Sequence, residues 1–375
     1  MALAALLAST PAQSNIDKVP SLGAASREAV NSHLSQQLLR DGGVRGLLTT
    51  VLGDIDQDQE APFDRMERVA TVLCIVPATS RQSQASTSAG RASKPNGVTD
   101  YFANIIRQLF SCLNQDSSRG SDVPAAHRRA AAFTICQMLK LDFKHTKVTR
   151  PLVLRTLHLP LLPPRNGSMQ PMDIPSPTEA LHLLMALMMR MDPSPPLVSA
   201  VVAAIVPSLV SLLEHFAEHR ATEPELREGV RAVVLAWARV VSVKEVVDRL
   251  WACVLRVSQL RWEGTGDLLQ LVGPPKDGEE LLPISQLVHP DGGGAETGLE
   301  ESLIETNAFM LRPDPARFIQ LLKDIGRPEA SGDLFVQILE AYHASNSPPE
   351  ASSQTLEPST EADPRRLVSV FATSN

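Results

Sequence analysis

The chain has 375 residues, 43% hydrophobic and 21% charged, enough to bury one large core or two smaller ones. Aromatic residues make up only 4%, so the core has to come from Leu, Val, Ala, Ile and Met. A formal net charge of −7 argues against non-specific binding to nucleic acid or to an acidic membrane surface, which needs a basic patch.

The chain opens with Met1-Ala-Leu-Ala-Ala-Leu-Leu-Ala-Ser-Thr10, an apolar run with no basic residue before it. Without that basic region it is expected to be a frayed start rather than a signal peptide, and residues 1–24 are read as disordered. Helical repeats are expected over 25–160. Met66, Val69, Ala70 and Leu73 form one apolar stripe. Phe102, Ile105, Ile106, Leu109, Phe110 and Leu113 form the next, at i, i+3, i+4, i+7, i+8 and i+11. Ala132, Ile135, Cys136 and Leu139 form a third. Between the first two lies Ala78 to Val98, Ser-rich and almost without large apolar side chains, read as a disordered insert. Gln115 to Ala125 is a shorter linker.

Pro160, Pro163, Pro164, Pro171, Pro175 and Pro177 exclude a helix across that stretch, so 161–177 is read as a linker between two helical regions. The second region, 178–344, carries start signals. Ser176-Pro-Thr-Glu179, Thr222-Glu-Pro-Glu225 and Ser242-Val-Lys-Glu245 read as capping boxes. The apolar runs Leu181 to Met191, Leu226 to Val241 and Val246 to Leu260 follow them. Asp314-Pro315 opens a further helix with Phe318, Leu321, Leu322 and Ile325 facing inward, stopped by Gly326 and Pro328. A loose region spans 264–298, and the polar tail 345–375 is read as unfolded. Leu268 to Val272 and Leu367 to Phe371 are short strand candidates, neither with a partner marked by hairpin turn signals.

Many helices with little strand predict an all-α fold. Closed bundle and stacked pairs compete, and the stack is favoured because helices keep arriving in pairs along a chain too long for one bundle core. The expected architecture is an irregular HEAT/armadillo-like α-solenoid, with helix pairs near 44–77, 100–157, 178–219, 223–260 and 314–343.

No residue is assigned a catalytic, cofactor-binding or metal-binding role. His215-Phe-Ala-Glu-His219 matches the H-x-x-E-H pattern, in which two imidazoles one turn apart hold zinc and Glu218 activates water. It closes the most apolar helix of the chain, where a helix-end cation complements the dipole, and the zinc hydrolase it suggests is kept as an alternative. Asp56, Asp58, Glu60, Asp64 and Glu67 approach a calcium loop, but Ala61 occupies the position that needs glycine. The plainer reading is an acidic loop whose Asp64 caps the next helix. The charge-free run Leu197 to Leu213 falls short of the roughly 20 residues that span a bilayer. It is read as a buried helix, with a membrane anchor as the alternative.

Asn166-Gly-Ser168 is a sequon that matters only in a secreted protein. Cys74, Cys112, Cys136 and Cys253 lie far apart within apolar helical runs and are read as free core thiols of a reducing compartment. Arg128, Arg129, Arg227, Arg231 and Arg239 are read as solvated helix faces, and Trp237, Trp251 and Trp262 as core residues ahead of partner contacts.

Five blocks are distinctive in their order and spacing: Gly42–Leu48 (GGVRGLL), Pro62–Ala70 (PFDRMERVA), Asp100–Leu109 (DYFANIIRQL), Arg128–Ile135 (RRAAAFTI) and Pro151–Leu157 (PLVLRTL). Together they resemble the amino-terminal region of the Transport and Golgi organisation protein 6 family, across residues 40–345. The resemblance implies a HEAT/armadillo-like solenoid without enzymatic activity or cofactor. It implies a role in protein secretion and Golgi organisation or, as in fungal members, in RNA polymerase II assembly and nuclear import. The partners expected are other proteins, trafficking components or polymerase subunits, not nucleic acid or inserted membrane. The chain is expected to be a cytoplasmic monomer, with nuclear shuttling or Golgi association open.

Overall fold

The apolar stripes become helices in the computed structural model, which describes residues 33–53, 62–76, 97–114, 123–163, 174–219, 224–256, 260–264, 269–272 and 313–346. The described residues are mostly helical, so the all-α expectation holds. They fall into two units, one reaching Leu159 and including Glu179–Leu197, the other comprising Pro160–Thr178 and everything from Val198 onward. The sequence places a boundary at the proline-rich stretch. The chain crosses from the first unit there, but Glu179–Leu197 packs with the first unit again.

The first unit contains α1 (Gly43–Leu52), α2 (Phe63–Cys74), α3 (Gly97–Leu113), α4 (Ala125–Leu139), α5 (Thr146–His158) and most of α6 (Pro177–Met188); a 3-10 turn at Leu159–Leu161 lies where the chain leaves it. α3 begins at Gly97, slightly inside the Ser-rich insert; the remainder of that insert lies outside the described residues. Every member of the three predicted stripes is buried. α4 packs against α1, α2, α3 and α5. It can meet four neighbours because Ala130, Ala131 and Ala132 are fully buried, and small side chains let helix axes approach closely. α1 also packs on α3, and α3 on α5.

Hydrogen bonds tie these helices end to end. Arg65 donates to the Leu52 carbonyl at the end of α1 (3.0 Å), Tyr101 to Leu73 (3.2 Å), and Thr149 to Met138 (2.7 Å). α5 carries Pro151 in its interior. Its ring supplies no N–H, so the Lys147 carbonyl lacks its usual helical donor. The turn into α1 is close-packed: a Cβ on Gly43 would run into the Gln37 carbonyl oxygen and lie 2.8 Å from the Leu38 Cα. Only glycine fits there.

The second unit contains α8 (Val206–Glu218), α9 (Pro224–Val240), α10 (Val243–Arg256), a hairpin of β1 (Arg261–Glu263) and β2 (Gln270–Val272), α11 (Pro315–Ile325) and α12 (Pro328–Asn346). α7 (Pro195–Val202) lies at the division between the units. α8 packs against α9, α10 and β1; α9 against α11; α10 against α12. In both units, then, several helices meet the next one but one.

The start and stop signals have mixed outcomes. The Asp314 carboxylate accepts from the Ala316 and Arg317 amides (3.0 and 3.5 Å), and Gly326 closes α11 in the left-handed region (φ 69°). Ser242 accepts from the Glu245 amide at the start of α10 (3.3 Å). Asp64 does not cap α2. Pro62 holds that position, and Asp64 contributes only negative charge to the first turn.

Two expectations need correcting. The Leu268–Val272 candidate does have a strand partner: Trp262 pairs with Leu271 in an antiparallel register. The run Leu197–Leu213 is not one helix. α7 ends at Val202, the chain turns at 203–205, and α8 restarts with Pro207 in its first turn, bent by 63° from α7. Pro207 has no N–H to continue the α7 ladder, and the break follows. No single described helix is long and apolar enough to cross a membrane; the bent pair passes that test only when its two pieces are joined.

Candidate functional site

The segment with the most chemistry in its sequence is the end of α8, and its side chains hold the hairpin. Ser208, Ser211 and His215 lie on one face at i, i+3 and i+7. The Ser208 carbonyl accepts from the Trp262 indole (3.1 Å), Ser211 donates to the Leu260 carbonyl (2.9 Å), and His215 donates from Nε2 to the Gly264 carbonyl (3.0 Å). Two side chains, Ser211 and His215, and one main-chain carbonyl, Ser208, of the most apolar helix thus pair with the backbone and indole of the strand laid against it. Buried polar groups are tolerated when so paired.

The predicted trio does not converge. His215 is buried, whereas Glu218 and His219 are exposed, and His219 donates to the His215 carbonyl (3.1 Å). The imidazole centroids lie 4.3 Å apart with the rings tilted by 34°, and the Nε2 of His215 that would face a metal is engaged with Gly264. The buried acid of this segment is Glu214, which accepts from the Asp314 amide (2.8 Å). Its neighbour at the active-site-like position, Glu218, faces outward. Among the described residues no three His, Cys, Asp or Glu side chains are grouped to hold a metal ion.

Asp56, Asp58 and Glu60 of the acidic loop, and Asn166–Ser168, lie outside the described residues; Asp64 and Glu67 are exposed on α2. The cysteines are free, with Cys112, Cys136 and Cys253 buried. Burial pushes the Cys74 and Cys136 thiols up to about 12, far from the range of a reactive thiolate. Trp237 and Trp262 are core residues, and Trp251 is half-buried.

Two arginines read as solvated do more than face water. Arg231 bridges Glu228 (3.0 Å) and Asp324 of α11 (2.7 Å), and Arg239 donates to the Asp324 carbonyl (3.0 Å). Arg327 donates to the Ala238 and Val241 carbonyls (2.8 and 2.7 Å), satisfying the end of α9. Arg227 remains exposed, as expected. The sequence also passed over Gln108, a polar residue on the apolar stripe of α3. Its burial accompanies three hydrogen bonds, to Val44 N–H (3.0 Å), Leu38 C=O (2.8 Å) and Asn104 Oδ1 (2.6 Å). A lone amide interrupting such a stripe was the available signal.

Exposed apolar side chains are scattered: Phe63 is 59% exposed and meets Phe133 edge to face, while Leu141 and Met189 are about three-quarters exposed. No family model, curated protein or solved structure matches the chain. The class of protein that the described residues define is therefore an all-α one, assigned on its helices alone.

Proposed function

We propose that the chain is a non-catalytic α-solenoid scaffold of the HEAT/armadillo-like kind, which binds other proteins along ordered helix faces. The observation that supports this reading is the alternation of helix contacts. In the first unit α1, α3 and α5 meet in succession while α2 meets α4. In the second, α8, α10 and α12 meet in succession while α9 meets α11. Stacked helix pairs bury their apolar faces against the preceding and following pair, which produces such next-but-one contacts, here joined by contacts of α4 with α1, α3 and α5. It leaves outer faces available to extended partners.

The role proposed is in protein secretion and Golgi organisation, on the strength of the family resemblance, with the cytoplasm as the compartment. Proximity labelling with the tagged full chain tests it. Enrichment of vesicle-coat or Golgi components supports this role. Enrichment of RNA polymerase II subunits instead replaces it with assembly or nuclear import, and enrichment of neither refutes the family-based role. Stoichiometric zinc in the purified protein that disappears in His215→Ala would refute the non-catalytic reading.

A further inference from the structure

We propose that the segment Leu367–Phe371 of this chain docks on a half-exposed apolar stripe of α12, folding the tail back onto the second unit. α12 packs on α10, and its buried side chains are Ala330 and Leu334, each 1% exposed. Phe335, Ile338, Leu339 and Tyr342 recur at i, i+3, i+4 and i+7, so they line an adjacent face of the same helix. Each of these four is only half-buried, and Val336, which precedes Leu339 by one turn, is 51% exposed. The stripes of the first unit are buried at every member, so α12 keeps in water an apolar surface of the kind the rest of the fold covers. Removing such a surface from water is stabilising in proportion to its area.

Charge points to the occupant. Glu329, Asp333 and Glu340 are exposed at i, i+4 and i+11 along one line of α12, beside Val336. None of the three takes part in an ion pair among the described residues. A second copy of α12 laid against this face would bring two such acidic lines together, and like charges repel. A segment that joins cations to apolar side chains fits instead. Beyond Arg327 the only Lys or Arg residues are Arg365 and Arg366, and they lead directly into Leu367, Val368, Val370 and Phe371.

Reach permits the contact. Leu367–Phe371 lies outside the described residues, and residues 347–366 connect it to the end of α12 at Asn346. Along the helix Phe335 is about 17 Å from that end, whereas a 20-residue connection extends to about 66 Å. A tethered segment also meets its site at an effective concentration in the millimolar range, so a small apolar contact is enough to hold it.

The test is paramagnetic broadening in the 15N-labelled full chain carrying Thr373→Cys with a nitroxide on the new thiol. That thiol labels ahead of the native cysteines, which are buried or, at Cys74, held at about 12. Broadening of the amide signals over 335–343 is expected, with its loss when Leu367→Asp and Phe371→Asp are added. Arg365→Glu with Arg366→Glu should weaken it at low salt. Absence of broadening on α12, or its persistence in the Leu367→Asp and Phe371→Asp chain, overturns the proposal. So does equal broadening of a 15N-labelled chain without nitroxide mixed with an unlabelled nitroxide-bearing one, because the contact would then lie between two copies.

Discussion

Gln108 offers the sharpest test of how the first unit is held together. Its Oε1 accepts from the Val44 amide, one of the α1 N–H groups that no helical carbonyl can serve. Its Nε2 donates to the Leu38 carbonyl, at the end of the helical turn over 33–38. One side chain on α3 therefore fastens both sides of the turn into α1, across 64 and 70 residues of sequence. Replacing it with leucine keeps the bulk and leaves both backbone groups buried without partners. Each such group costs about 1–3 kcal/mol, against which the extra apolar burial returns about 1 kcal/mol. A net loss of about 1–5 kcal/mol is expected for Gln108→Leu, read as a lowered midpoint in urea with unchanged slope. Asn104→Ala removes one partner of the amide but keeps both backbone bonds, so its cost should stay below about 1 kcal/mol. A Gln108→Leu variant within about 0.5 kcal/mol of wild type would refute the clamp.

Three further outcomes can be measured. Gly326→Ala should destabilise the protein by about 1 kcal/mol in the same urea assay. An added Cβ meets only the Lys323 carbonyl oxygen, at 4.0 Å, so the cost comes from the left-handed backbone (φ 69°) rather than from crowding. The hydrogen bond and charge of Arg231 hold Asp324 below the usual carboxylate range, so the pair stabilises the fold above the unfolded-state pKa and loses that contribution as pH falls through the folded value. Asp324→Asn should then cost less than about 1 kcal/mol at pH 7, because Arg231 is 41% exposed, and should match wild type in strong acid. Finally, with Cys74 and Cys136 at about 12, iodoacetamide at pH 8 should label both far more slowly in the folded chain than in urea. Equal rates in both states would contradict the burial assigned to them.

How much of this was legible in advance differs by element. The stripe on α3 could be read because Phe102, Ile105, Ile106 and Leu109 recur at the helical period, and the period reports which face must leave water. The caps at Asp314, Ser242 and Gly326 could be read because they act within a few residues of themselves. Asp64 shows the limit of that logic: a good capping residue two positions late cannot cap, and proline took its place. Arg231 and Arg239 looked like surface residues because their partner, Asp324, lies more than 80 positions along the chain.

His215 makes the same point for chemistry. The pattern His215-Phe-Ala-Glu-His219 guarantees that two imidazoles share a helix face, and they do, with ring centroids 4.3 Å apart. It says nothing of what lies opposite. The strand that follows α10 brings the Gly264 carbonyl to Nε2, and the ring becomes an anchor for a hairpin.

The amino acids alone dictated which segments coil, where most of them begin, and which side of each is apolar, since period, caps and proline act over a turn or two of chain. Tertiary structure decided that residues 261–263 and 270–272 would pair, and that Gln108, His215 and Arg231 would each find a partner 49 to 93 residues away. Those outcomes depend on where distant backbone and charge come to rest once the apolar faces have closed, and no local pattern encodes that position.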